Sequence, residues 1–347
     1  MKNLKVEDEQ KPKTFRLALI LLALLTLVGG LAAVFHAPLD QLRSAMSVKK
    51  AENARLLVMH YYGDYGFDDF LKKGVAGAAN TASSPISRPA WACTCFAALG
   101  NENAPLLGRN YDYTEVRPLI LFTNPPGGYA SIAMVDVTFL GVFSEDLSWQ
   151  NRLRLLRAPL YPFDGMNEAG LAVGMMAIPN ANGGRDSQKV TLGSLQVIRL
   201  VLDHARNVSE AVDLLQGYNV DFSGGPPIHY LMADAAGSSV VVEYLNGSPL
   251  VIYNTSPWQV ATNFTLSTSS LEAAESICSR YKTAYEALLQ AGGLLTPAES
   301  LALLKDVSQE ITSWSIVYGL TSGEIQLALE QDFTHVLDFS LEMKADR

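Results

Sequence analysis

From residue 93 onward the chain alternates apolar and polar positions in short runs separated by turn residues. Leu106 to Tyr111, Leu119 to Phe122, Tyr129 to Val142, Leu171 to Ile178, Ile228 to Ala233, Ser239 to Tyr244, Leu250 to Tyr253, Ser313 to Tyr318 and Glu324 to Leu329 read as strands. A period of two puts one face of each on a core. Asn167-Glu168-Ala169-Gly170 and Ala235-Ala236-Gly237-Ser238 carry the residues of hairpin turns. A helical period appears at Ser194 to Ala205, Val208 to Gln216 (capped by Asn207 or Ser209), Ser270 to Gln290 and Pro297 to Val307. Two helical clusters interrupting many antiparallel strands predict an α+β fold, a four-layer α-β-β-α sandwich.

The first ninety residues have a different texture. Leu17 to Phe35 is an uncharged run of nineteen residues, preceded by Lys11, Lys13 and Arg16 and followed by Pro38. That length crosses a bilayer, and it reads as a signal anchor, uncleaved or slowly cleaved, with a cleaved signal peptide as the alternative. Leu31-Ala32-Ala33 is an indifferent cleavage site. Asp40 to Ala54 reads as a polar helix, and Leu56 to Leu71 is aromatic and acidic. Val75 to Ala90 is small, rich in Ser, Ala and Pro, and loop-like.

Composition narrows the function. The formal net charge is −9 and no block is rich in Lys or Arg, which argues against nucleic-acid binding. Three cysteines cannot all pair, and Cys93 and Cys95 are too close in one strand to bridge comfortably. Cys278 falls in the Ser270 to Gln290 helix and reads as a small buried hydrophobe. Neither a CxxC nor an HExxH pattern is present, so no metal or cofactor is expected. The sequence sets no oligomeric state.

The candidate chemistry sits on one hairpin. Thr94 to Ala98 forms a strand, Gly100 to Ala104 a polar turn, and Pro105 to Tyr111 the return, which brings Arg109 and Asp112 back beside Cys93. A cysteine, an arginine and a carboxylate so placed suit a hydrolase that uses its own N-terminal amine as base. The thiol attacks, the guanidinium stabilises the thiolate, and the carboxylate orients the freed amine. Because an α-amine titrates near pH 8, it can take the thiol proton at neutral pH. Cys95 is the rival nucleophile on the same face.

These residues carry a resemblance. Cys93-Thr94 with Gly108-Arg109-Asn110-Tyr111-Asp112, then Asp164-Gly165-Met166-Asn167-Glu168-Ala169-Gly170-Leu171, then His229 to Glu243, then Ala261-Thr262-Asn263 resemble the choloylglycine hydrolase and linear-amide hydrolase group of N-terminal-nucleophile enzymes. Bile-salt hydrolases, penicillin V acylases and acid-ceramidase-like amidases belong to it. The resemblance covers Cys93 to the C-terminus and implies the same sandwich fold. It implies Cys93 rather than Cys95 as nucleophile, because the sixteen residues to Arg109 and nineteen to Asp112 match the family. It also implies that the Asn263 side chain and the Ala177 backbone N–H form an oxyanion hole, and that Arg280 supports the site. Residues 1–37 are then a cytoplasmic tail and anchor, 38–92 a propeptide or linker cut before Cys93, and 93–347 an exported catalytic domain.

Other residues receive plainer readings. Tyr113, Met166, Met175 and Met176 flank the motifs and are candidates to line an acyl pocket, where core packing would explain Met equally well. Asn167 reads as a turn former with Asp164 nearby, neither assigned chemistry. His229 lies in a strand pattern as a core or rim residue, which argues against a papain-type Cys-His pair. The expected reaction is hydrolysis of the linear amide of an N-acyl small molecule through a thioester. An acyltransferase using that thioester and an inactive membrane-tethered binding protein are the alternatives.

Overall fold

The computed structural model describes residues 37–51, 55–74, 92–144 and 146–344. In chain order its strands begin with β1 (Lys49–Lys50), β2 (Leu57–His60), β3 (Thr94–Ala98), β4 (Leu106–Asp112), β5 (Pro118–Thr123) and β6 (Ser131–Asp136). Next come β7 (Asp164–Asn167), β8 (Ala172–Ala177), β9 (Val190–Gly193), β10 (Tyr218–Asp221), β11 (Ile228–Ala233) and β12 (Ser239–Tyr244). The last are β13 (Pro249–Tyr253), β14 (Trp258–Ala261), β15 (Thr312–Gly319), β16 (Glu324–Leu329) and β17 (Leu337–Ser340). One sheet runs β1-β2-β5-β6-β7-β8-β11-β12-β13, a second runs β14-β3-β4-β15-β16-β17, and β9 and β10 form a small parallel pair.

The helices are α1 (37–47), α2 (Phe67–Lys73), α3 (Trp149–Leu155), α4 (Ser194–His204), α5 (Val208–Leu215), α6 (Leu271–Ile277), α7 (Ser279–Ala291) and α8 (Pro297–Asp306). The period of two sorts β3 and β4 between two layers. Cys95, Ala97, Leu107 and Tyr111 join the core between the sheets, while Phe96, Ala98 and Leu106 pack under Tyr281, Ala284, Leu288 and Leu304 of α7 and α8. Gly108 faces Phe96 across the hairpin, where an added Cβ would lie 2.5 Å from the Phe96 ring. On the far side α4 and α5 cover the nine-stranded sheet through Val197, Leu200, Val201 and Val212. The result is the expected α-β-β-α order.

The hairpins, the strand faces and the Asn207 cap, whose side chain accepts Glu210 N–H, follow the sequence pattern. Two runs beyond residue 93 depart from it. The run Tyr129 to Val142 is a strand only to Asp136, whose carboxylate accepts the Thr138 N–H at 3.0 Å and starts a 3-10 turn. Ser270 to Gln290 is two helices, broken where Cys278 takes an extended backbone. Ser276-Ile277-Cys278-Ser279 is a local run of weaker helix formers, and the break sets Arg280 in the first turn of α7. Cys278 is therefore a half-buried junction residue, not a helix-interior one.

Residues 37–51 and 55–74 form no free linker. Helix α1 ends at residue 47 instead of running to Ala54, and β2 pairs in parallel with β5. Val48, Leu57, Met59 and Tyr61 share a core with Leu119, Leu121, Val135 and Leu155. The Ala92/Cys93 boundary is thus not a packing boundary. Leu17 to Phe35 and Val75 to Ala90 lie outside the described residues. Among the described residues no helix is long and apolar enough to cross a membrane.

Candidate active site

The β3–β4 pairing sets Cys95 opposite Arg109 and Thr94 opposite Asn110. Just ahead of β3, Ala92 N–H reaches Asp112 O at 3.4 Å, so the Ala92–Cys93 peptide lies beside the end of β4. Cys93 is buried, with Sγ 3.9 Å from Arg109 Nη2. Burial pushes this thiol up, and the Arg109 charge pulls the other way. That opposition is what a nucleophile needs in a dry site: a cation able to hold the thiolate once a base has formed it.

Arg109 is itself fully buried and held from three directions. Its Nη2 donates to Met175 O at 2.8 Å and its Nη1 to Phe163 O at 3.0 Å, and Nη1 also pairs with the Asp164 carboxylate. Asp164 is completed by Trp314 Nε1 at 3.0 Å and Tyr318 OH at 2.6 Å. A buried charge needs such a partner, so Asp164, given no role from sequence, is the counterion of Arg109. A carboxylate between Phe163 and Gly165 in an apolar stretch was a readable signal, since acids are almost never fully buried unpaired.

Asp112 accepts Thr312 Oγ1 at 2.6 Å on Oδ1. Its Oδ2 makes no hydrogen bond and lies 3.9 Å from Arg280 Nη1. Burial raises this carboxyl to about 6 against the pull of Thr312, Arg280 and Arg109. Asp112, whose carbonyl meets the Ala92 N–H, thus keeps one carboxylate oxygen without a hydrogen-bond donor.

The opposite side of the site is assembled from distant elements. Arg280 is largely buried and does not lie on a solvated helix face. Its Nη1 donates to Cys93 O at 2.6 Å and Thr94 Oγ1 at 2.8 Å, and Nη2 donates to Asn263 Oδ1 at 3.0 Å. A guanidinium only donates, so it fixes the Asn263 oxygen toward itself and turns Nδ2 to Ala177 O at 2.8 Å. Ile178 N–H donates to Pro227 O, which leaves Ala177, opposite Ile228, at a non-hydrogen-bonded position. Its N–H and C=O therefore turn away from β11, past the end of β7, whose pairing with β8 stops at Gly174.

The remaining candidates separate by face. Gly174 contacts Arg109 and Cys95, so Met176 and, through its pairing with Ala172, Met166 face the space between the sheets. Met175 has the opposite parity and points to the helix layer, so its carbonyl rather than its side chain meets the site. Tyr113 is half-buried against Tyr111 and Phe139. Asn167 shapes its turn by accepting Ala169 and Leu171 N–H and donating to Leu202 and Ala205 carbonyls. Cys95 is fully buried against Gly174.

Residues 159–340, just over half of the chain, match the family described as acyl-coenzyme A:6-aminopenicillanic acid acyl-transferase. The chain belongs to this family. The matched region holds Asp164, Ala177, Asn263 and Arg280 and excludes Cys93, Arg109 and Asp112. The fold of this family member is the N-terminal-nucleophile, choloylglycine-hydrolase-like fold. A mutant conjugated bile acid hydrolase from Clostridium perfringens superposes with a TM-score of 0.54 at 17% identity, covering 72% of this chain and 92% of that one. Penicillin V acylase from Agrobacterium tumefaciens gives 0.51 at 17% identity, covering 73% and 87%. An uncharacterized protein, A284L of Paramecium bursaria Chlorella virus 1, is 32% identical over 120 residues, 32% of this chain. The match spans 43% of that relative's length.

Proposed function

We propose that this protein is a self-processing cysteine amidase that hydrolyses the linear amide of an N-acyl small molecule. Cys93 Sγ first attacks the Ala92 carbonyl carbon, the Cys93 nitrogen leaves, and water hydrolyses the resulting thioester. The freed α-amine, held by Asp112, then takes the thiol proton when substrate binds. The thiolate adds to the substrate carbonyl, and the developing oxyanion is held by Asn263 Nδ2 and the Ala177 N–H. Collapse expels the substrate amine with a proton from the ammonium, and water releases the acid.

The observation that carries this reading is the reach of Arg280, which bonds both the Cys93 carbonyl and Asn263 Oδ1. Nucleophile and oxyanion donor are thereby joined through one side chain. A second reading, transfer of the acyl group to an amine, is favoured by the acyl-transferase family match. It differs only in what resolves the thioester. Export across a membrane rests on Leu17 to Phe35 with Lys11, Lys13 and Arg16 on the inner side.

N-terminal sequencing and intact mass of the purified protein test the core of this reading. A mature chain starting at Cys93 is expected, with the propeptide co-eluting because β1 and β2 are built into the sheet. Cys93→Ala should give an uncut, inactive chain. Wild-type amide hydrolysis by that variant would overturn the nucleophile assignment. Product analysis with hydroxylamine added then separates hydrolysis from transfer.

A further inference from the structure

A second buried polar pair lies behind the site. His229 and Glu243 are both fully buried on neighbouring strands β11 and β12. His229 Nε2 meets the Thr262 carbonyl at 2.8 Å and Nδ1 meets Glu243 Oε1 at 3.1 Å. Glu243 Oε1 also accepts Leu266 N–H at 2.7 Å, and Oε2 accepts Ser267 N–H at 3.1 Å and Ser267 Oγ–H at 2.5 Å.

The protons follow from these partners. A carbonyl oxygen only accepts, so Nε2 carries a hydrogen. Glu243 already accepts three donors from the 266–267 turn. Burial pushes its carboxyl up, but the bonds from His229 and Ser267 hold it below the usual range. Nδ1 of the same ring meets the remaining side of Glu243 Oε1, so His229 bridges the Thr262 carbonyl and the Glu243 carboxylate.

The pair thus grips the chain on both sides of one residue. Thr262 precedes Asn263, and Leu266 and Ser267 follow it. The same histidine sits opposite Met176 on the strand beside Ala177, while Thr262 follows β14 of the other sheet. His229 therefore spans the two sheets at the point where Asn263 Nδ2 meets Ala177 O.

We propose that the buried His229–Glu243 pair is the positioning device of the oxyanion hole, locking the Thr262–Ser267 segment so that the Asn263 amide stays registered against Ala177. Neither residue touches the reacting atoms. The pair acts through Asn263, and the inference rests on the oxyanion reading of that residue.

A double-mutant cycle tests it, with 4-nitrophenyl hexanoate as the acylating probe and nitrophenolate release as the signal on processed protein. Asn263→Ala should lower the maximal acylation rate on the order of a hundredfold. His229→Leu should lower the same rate at least tenfold with half-saturation changed less than twofold. His229→Gln, which keeps a donor for Thr262 O, should recover most of the rate. In the Asn263→Ala background His229→Leu should have almost no further effect, because the group it positions is gone. Should His229→Leu not yield folded protein, the near-isosteric Glu243→Gln takes its place in the cycle with the same expected non-additivity. Multiplicative losses, or a full rate for His229→Leu beside a crippled Asn263→Ala, would overturn the positioning role and leave the oxyanion reading standing. An Asn263→Ala enzyme of wild-type rate would remove that reading itself, and this inference with it.

Discussion

Cys93, Arg109 and Asp112 stand on one hairpin, at most nineteen residues apart, whereas Asn263, Ala177 and Arg280 come from a strand end, the other sheet and a helix. The first group is aligned by antiparallel register and closed by a fully buried ion pair, Arg109–Asp164. The second is held by hydrogen bonds of 2.6 to 3.0 Å, and those to Cys93 O and Ala177 O join residues 187 and 86 positions apart in the chain. Damage to the two sides should therefore look different. The hairpin side is tied into the core and should fail through stability, and the Asn263 side should fail through rate.

The largest effect is expected from Asp164→Ala. It strips the counterion from a fully buried guanidinium and leaves Trp314 Nε1 and Tyr318 OH without their acceptor. Breaking one partner of a buried pair costs about 3–5 kcal/mol, a large fraction of a domain's stability. Urea unfolding should show this loss together with loss of processing. A variant of unchanged midpoint that still cuts itself would mean that Arg109 needs no partner.

Next comes Asn263→Ala, the matching change on the other side. The amide should bind charge that develops only at the tetrahedral stage, so kcat should drop on the order of a hundredfold with little change in KM. The unfolding midpoint should stay near that of the parent. A raised KM at unchanged kcat would place Asn263 in ordinary substrate binding.

The same contrast decided what the sequence could reveal. Hairpin, turn and strand faces were legible because register and period two are local, and with them the proximity of Arg109 and Asp112 to Cys93. Asp164 was passed over because its partner lies fifty-five residues away, although a carboxylate inside an apolar strand already asks for a cation. Arg280 came in only through the resemblance, because nothing in the local helical spacing sets it apart. Only the break at Cys278, hidden within continuous helical spacing, turns it inward. Met175 shows the converse, since a residue beside a motif can point the wrong way by one step of strand parity. Residues 37–51 and 55–74 were unreadable for a similar reason, because β2 finds its partner β5 in parallel across an intervening chain.

A smaller effect concerns pH. The Asp112 carboxyl is raised to about 6 in the uncut chain, so it is neutral below that value and ionised above it. When the Cys93 nitrogen leaves Ala92 it becomes an amine that protonates near neutrality, and only the ionised Asp112 stabilises that cation. Processing of freshly refolded precursor should accelerate as pH rises through about 6, falling about tenfold per unit below it. Asp112→Asn should be slow and flat over the same range. A wild-type profile without a step near 6 would separate Asp112 from the cut.

Cys95→Ser should be the mildest change in rate and is the sharpest check on which thiol of the hairpin does the chemistry. Cys95 faces the same inter-sheet space as Cys93 and lies opposite Arg109 in the ladder, so proximity to the guanidinium does not separate them. Their surroundings do. The Cys95 thiol is walled by the Gly174 backbone, where an added Cβ would lie 3.0 Å from Sγ. Burial drives this thiol well above its ordinary range, with Arg109 only partly opposing. It also lies inside β3, paired with Ala261 on one side and Arg109 on the other, so no peptide cut can free an amine beside it. Serine there places a hydroxyl in a site without a matching partner, a penalty of about 1–3 kcal/mol, so the melting temperature should fall. Processing and kcat of the folded protein should remain within about twofold of the parent, since an independent packing site leaves the transition state untouched. A folded Cys95→Ser protein as inactive as Cys93→Ala would transfer the nucleophile two residues along the strand.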